Sequence, residues 1–145
     1  MVVKRIPYFL HYTTLLFHYS LTLLHGEKKN TYFYKDYFYD LFNELPEKVK
    51  GKIDEVLYIL VVLQKIPVKF LSHITGYDGL YEVRIAYGSN IYRIFCCFDE
   101  GNLIVLFNGF QKKSQKTPQE EIVKALKIKA EYFEEKNKQN KNEKK

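Results

Sequence analysis

The sequence predicts an α+β domain, with two N-terminal helices packed on a small antiparallel sheet and one further helix at the C-terminal end. Three observations carry this prediction. Apolar residues between Asp36 and Leu63 recur at helical spacing. Three runs rich in aromatic and β-branched residues follow between Leu80 and Phe110, separated only by the turn pairs Gly88-Ser89 and Glu100-Gly101. Beyond them, Thr117-Pro118-Gln119-Glu120 has the form of a helix start.

Taken in order, the chain opens on a stretch unlike the rest. Residues 6–25 contain no Asp, Glu, Lys or Arg, whereas Lys4 and Arg5 precede them and Glu27, Lys28 and Lys29 follow. The length suits a signal peptide or a marginal membrane span. Pro7, His11, Thr13, Thr14, His18, Ser20 and Thr22 interrupt it, however, and no small-residue cleavage site is evident. His11, His18 and His25 recur every seven residues without carboxylate or Cys companions, so chance explains them better than a metal site. Residues 1–29 are therefore expected to be an upstream extension that does not carry the function.

Thr31 to Tyr34 form a short strand candidate. Phe38, Leu41, Phe42 and Leu45 then give a helical stripe that Pro46 ends, opening a second helix with Val49, Ile53, Val56, Leu57, Leu60 and Leu63 on one face. Phe70 to Gly79 reads as loop because of Gly76 and Gly79. The three strand runs make two tight hairpins. In the last helix Thr117 is the expected N-cap, Pro118 the first helical residue and Glu120 the capping-box acid, with Ile122, Ala125, Leu126 and Ile128 facing the core. Residues 134–145 contain only Lys, Glu, Asn and Gln and are expected to be a charged, flexible tail, leaving residues 30–133 as the folded domain.

Composition narrows the function classes. The chain has 145 residues, 46% of them hydrophobic, with 13 Tyr and 11 Phe but no Trp, which suits one domain rich in strand. A formal charge of +6 favours a polyanionic partner without bearing on fold. Cys96 and Cys97 are adjacent, so in a strand they point to opposite faces and cannot readily bond each other. They match no zinc spacing and read as reduced thiols of a cytoplasmic protein.

Strand alternation lets a polar cluster be assembled. Glu82 and Arg84 share a face of the first long strand. A two-residue turn at Gly88-Ser89 sets Arg84 opposite Arg93, and a second at Glu100-Gly101 sets Arg93 opposite Asn108, with Lys112 further along. Two directly opposed arginines need a compensating anion. The pattern supports equally an ordinary surface ion network and a phosphate site. The basic run Gln111-Lys112-Lys113-Ser114-Gln115-Lys116, leading into a helix N-terminus, tips the balance towards phosphate.

These residues also resemble a known family. Gly79-Leu80-Tyr81-Glu82-Val83-Arg84-Ile85, Ile91-Tyr92-Arg93-Ile94-Phe95, and Asn108-Gly109-Phe110-Gln111-Lys112-Lys113-Ser114-Gln115-Lys116-Thr117-Pro118 resemble successive signatures of HigB-like, phage-related toxins of the RelE/ParE superfamily. The resemblance covers residues 32–133 and leaves out the leader. It implies a RelE-like fold and the toxin of a type II toxin–antitoxin system, a cytoplasmic endoribonuclease that cuts messenger RNA on the ribosome. The implied partners are a helix-turn-helix, HigA-like antitoxin, the ribosome and its messenger, with no membrane, cofactor or metal.

Glu82, Arg84 and Arg93 match the family's catalytic strands, and Lys112 and Lys113 its basic exit. Asn108 and Lys116 complete the expected RNA-binding set. RNA brings its own nucleophile, so Glu82 would serve as base while Arg84 and Arg93 grip the phosphate with forked hydrogen bonds. No acid is assigned: His73 and Tyr92 are weak candidates, and Tyr132 lies far along the last helix. Two competing readings stand: a ParE-like, non-enzymatic gyrase inhibitor, and an inactive homologue that only binds antitoxin.

Overall fold

The computed structural model describes residues 29–143. All but Lys29 of the expected leader, residues 1–29, and the last two residues of the expected tail lie outside the described residues, with the expectations placed on them.

Strand alternation organises everything else. In β4 (Asn90–Asp99), Tyr92, Ile94 and Cys96 point to one face of the sheet, and Phe95 and Cys97 to the other. Each set needs an apolar cover. Helix α2 (Glu47–Val62) covers the first face with Val49, Ile53, Val56, Leu57 and Leu60. Helix α3 (Gln119–Asn142) covers the second with Ile122, Ala125, Ile128 and Tyr132. The sheet thus sits between helices, and each fully buried Ile or Leu contributes about 1.5–3 kcal/mol relative to exposure.

The sheet order is β1-β5-β4-β3-β2. Its centre is the expected meander of β3 (Tyr81–Tyr87), β4 and β5 (Leu103–Lys112). Two short edge strands enlarge it. β1 (Asn30–Phe33) runs parallel to β5, with Tyr32 opposite Val105, which makes the sheet mixed and not purely antiparallel. β2 (Leu71–His73) pairs antiparallel with β3 inside the segment expected to be loop. A three-residue edge strand followed by two glycines carries too little periodicity to be seen in sequence.

The expected first helix shrinks to one turn, α1 (Tyr39–Phe42). Lys35 has φ of 53°, which interrupts a right-handed helix before Asp36, and Pro46 disfavours helical backbone at Leu45. Pro46 itself is the N-cap of α2, with φ −60° and ψ 148°.

The first hairpin has the expected two-residue turn, Tyr87 pairing with Asn90 across Gly88, whose φ is +58°. The second does not. Asp99 pairs with Leu103, so three residues turn, with Glu100 and Gly101 both at positive φ. At the other end of α3, the helix continues through Asn142, past the expected start of a flexible tail. Lys136 bonds Asp99 at 2.7 Å and Glu100 at 2.9 Å, and Glu135 accepts from Lys35 at 2.8 Å. These tertiary ties hold the helix as far as Lys136, inside a segment whose composition alone suggests fraying.

Both cysteines are free and buried, one on each face. Burial raises both thiols, Cys97 to about 12.

Candidate functional site

The polar cluster forms on the α3 side of the sheet, where β3 and β4 bring Arg84 and Arg93 directly opposite each other. The compensating anion is Glu82. Its Oε1 lies 3.1 Å from Arg84 Nε and 3.5 Å from Arg93 Nε. Glu82 is 4% exposed and Arg93 8%, whereas the Arg84 side chain keeps 34% of its surface. The cluster is therefore a buried ion pair with one arginine at its open edge, and not a surface network.

Burial pulls the Arg93 guanidinium below its usual range; Glu82 opposes that shift and Arg84 adds to it. Arg93 Nη1 donates to the Tyr92 carbonyl at 2.9 Å. Arg93 Nε points at Glu82 without hydrogen-bond geometry, so the contact is an ion pair only.

Asn108 reaches this face by a different route from the one expected. Arg93 is opposite Phe110, not Asn108, because the β4–β5 register shifts between Ile94 and Cys96. Ile94 pairs with Gly109 and Cys96 with Leu106, so Phe107 and Asn108 together oppose Phe95: a β-bulge. The three-residue turn and the bulge each displace the simple register by one residue. Asn108 is 1% exposed, and its Nδ2 donates to Glu121 Oε2 at 2.9 Å in the first turn of α3. It braces that turn from within the fold and does not face solvent.

Lys112 ends β5 opposite Ile91, on the same face as Arg93 and half-buried. Lys113 and Lys116 are exposed on the connector between β5 and α3, where Ser114 Oγ donates to the Lys116 carbonyl at 2.9 Å. The connector ends at Thr117, and here the expected cap fails. Pro118 is the N-cap of α3, and no side chain caps the helix. The Thr117 hydroxyl turns instead to Glu82 Oε2, at 3.5 Å.

The weak acid candidates lie elsewhere. Tyr92 is 3% exposed in the core under α2. His73 is exposed on β2 opposite Tyr81, its ring 5.2 Å from the Tyr81 ring, on the face away from Glu82. Tyr132 donates to Asp99 Oδ2 at 2.6 Å at the far end of β4. Thr117 and Glu121 escaped sequence reasoning as site residues. Their local signals were those of a cap and an exposed helical acid, and only the chain path over the sheet brings them to Glu82 and Asn108.

Among the described residues, no group of three His, Cys, Asp or Glu is placed to hold a metal ion, and no helix is long and apolar enough to cross a membrane.

A mixed sheet between helices, with a buried carboxylate gripped by two opposed arginines and a lysine-rich exit, defines the class: an α+β protein with a cationic site on one sheet face. The family is more specific. The model of the phage derived protein Gp49-like (DUF891) family matches residues 40–130, from α1 well into α3 and across the whole cluster. The chain belongs to this phage-derived family, which is of toxin-like type. No curated protein matches the chain.

Proposed function

We propose that the chain is the toxin of a type II toxin–antitoxin pair, of the HigB-like branch of the RelE/ParE superfamily, and that it cuts messenger RNA on the ribosome. The observation that carries this reading is the asymmetric use of Glu82: both arginines lie on Oε1, leaving Oε2 turned towards the connector. A carboxylate held by one oxygen presents the other to a proton donor. An RNA 2′-hydroxyl is such a donor, and the phosphate beside it suits Arg84.

In this mechanism Glu82 takes the 2′ proton, and the 2′ oxygen attacks the adjacent phosphorus. The bond from phosphorus to the 5′ oxygen breaks, leaving a 2′,3′-cyclic phosphate. The departing 5′ oxygen takes its proton from water or a ribosomal group, since neither His73 nor Tyr92 shares the face. Arg84 and Arg93 stabilise the charge that builds on the equatorial oxygens. Lys112, Lys113 and Lys116 hold flanking phosphates, while Asn108 supports the first turn of α3. A helix-turn-helix, HigA-like antitoxin encoded alongside would hold the toxin silent in the cytoplasm.

Induced expression of the full chain, with messenger 5′ ends mapped, tests this reading beside Arg84→Ala, whose half-exposed side chain can be removed with little loss of packing. Growth arrest with new cuts in translated messages, lost in the variant, is expected. Arrest without cuts but with DNA-damage signalling would move the assignment to a gyrase inhibitor. Soluble protein without arrest would leave a binding homologue.

A further inference from the structure

We infer that Thr117 is a placeholder for the RNA 2′-hydroxyl: its own hydroxyl occupies the position on Glu82 Oε2 that the substrate must take. The inference rests on the proposed RNA-cleaving reading and concerns how the same site admits its substrate.

Three independent features lead to it. The sequence Thr117-Pro118-Gln119-Glu120 has every residue of a capping box, yet the hydroxyl turns away from the helix and α3 is left without a side-chain cap. The helix opens one residue later, on Pro118, whose carbonyl accepts from the Glu121 and Ile122 N–H groups, so the Thr117 hydroxyl stands ahead of the cap position and is left to face Glu82. Secondly, Thr117 Oγ1 stands 3.5 Å from Oε2, whereas a hydroxyl donating to a carboxylate settles at about 2.5–2.7 Å. The contact is long for such a pair and leaves room for a shorter bond from another hydroxyl. Thirdly, Glu82 is 4% exposed with Oε1 already committed to the arginines, so a ligand hydroxyl reaches Oε2 where Thr117 now lies.

The placeholder is wired to the phosphate contacts. Thr117 follows directly on Lys116 and closes the connector that carries Lys113. Phosphates gripped by these exposed lysines pull on the short segment that ends at the placeholder. RNA binding can therefore lift Thr117 and uncover the base in one step. Single-stranded DNA would engage the same lysines but has no hydroxyl to offer Oε2. Thr117 is in this sense a positioning and specificity residue: it keeps Oε2 hydrogen-bonded until a 2′-hydroxyl replaces it.

The test reads a gain, which misfolding cannot produce. Full-length wild type, Thr117→Ala and Thr117→Ser are titrated against a labelled single-stranded RNA and its all-deoxy counterpart. Cleavage of a translated messenger by wild type is followed in parallel. Removing the competing hydroxyl in Thr117→Ala should tighten RNA binding by roughly twofold to threefold, the low end for a hydrogen bond, and leave DNA binding unchanged. Thr117→Ser, which keeps the donor, should bind as wild type does. Unchanged or weaker RNA binding by Thr117→Ala, or an equal gain for both nucleic acids, would overturn the placeholder role while wild-type cleavage leaves the proposed function standing. If wild type neither cleaves the messenger nor binds RNA, the proposed function fails and the placeholder role fails with it.

Discussion

Substituting Glu82→Gln tests whether this carboxylate holds the sheet together independently of any chemistry. Arg84 and Arg93 are directly opposed across β3 and β4, where paired Cα atoms stand about 4.5–5.5 Å apart. Their side chains are 34% and 9% exposed, and that of Glu82 is 6% exposed. Removing one partner of a buried ion pair costs about 3–5 kcal/mol, because the other charge is left uncompensated. Arg84 can turn partly to water and Gln keeps one acceptor oxygen, so about 2–3 kcal/mol is expected for Glu82→Gln. Most of the penalty is the stranded Arg93 charge. The double variant Glu82→Gln/Arg93→Met removes that charge and should recover about 1–2 kcal/mol over Glu82→Gln alone. Urea unfolding of the full chain followed by circular dichroism at neutral pH measures both differences. A Glu82→Gln protein within about 0.5 kcal/mol of wild type, or a double variant less stable than the single, would refute the argument.

Two further outcomes follow from particular side chains. Burial works against ionisation of Asp99, but bonds from Lys136 and Tyr132 outweigh it and hold the group below its ordinary 3.8. A depressed carboxylate stabilises the fold above its unfolded pKa and loses that contribution as pH falls through the folded one. Asp99→Asn should therefore cost about 1–2 kcal/mol near pH 7, and its stability gap to wild type should close below pH 3.8 in acid titrations of unfolding. Cys96 and Cys97 are buried with raised thiols. At pH 8 both should resist a thiol reagent in the native protein and react together on unfolding, so rapid modification of either without denaturant would contradict their placement.

How much of this was legible beforehand depended on whether the controlling interaction is local. The Gly88-Ser89 turn fixes its hairpin within a few residues, so the Arg84–Arg93 pairing could be read directly and is found as expected. The β4–β5 pairing could not. The sequence Glu100-Gly101-Asn102 admits two-residue and three-residue turns, and nothing near Phe107-Asn108 announces a bulge. The bulge follows from packing. Phe107 and Phe110 both belong to the core under α3, an odd spacing that a regular strand would split between faces. Gly109 then turns to α1, where an added Cβ would come within 2.8 Å of Leu41 Cδ2. The parallel edge strand β1 and the long helical extension of α3 are likewise set by partners far away in sequence: Leu103 to Leu106 for the strand, Asp99, Glu100 and Lys35 for the helix.

Glu82 joins the stability of the fold to the proposed chemistry, and the two demands pull in different directions. A carboxylate that only neutralised Arg84 and Arg93 would do best with both oxygens shared between them, since forked arginine contacts are the stronger geometry. Here both arginines crowd Oε1, and Oε2 is left to a 3.5 Å contact with Thr117, just ahead of the α3 N-cap. Arg93 Nε and Asn108 Oδ1 are also buried without a hydrogen-bond partner, as is the Tyr34 hydroxyl beside Tyr132. Arg93 Nε keeps its ion pair with Glu82, so its cost falls below that of an isolated buried donor. The polar groups of the sheet centre therefore gather on the α3 face, between Glu82 and Asn108, while the α2 face beneath the same strands is an ordinary apolar core.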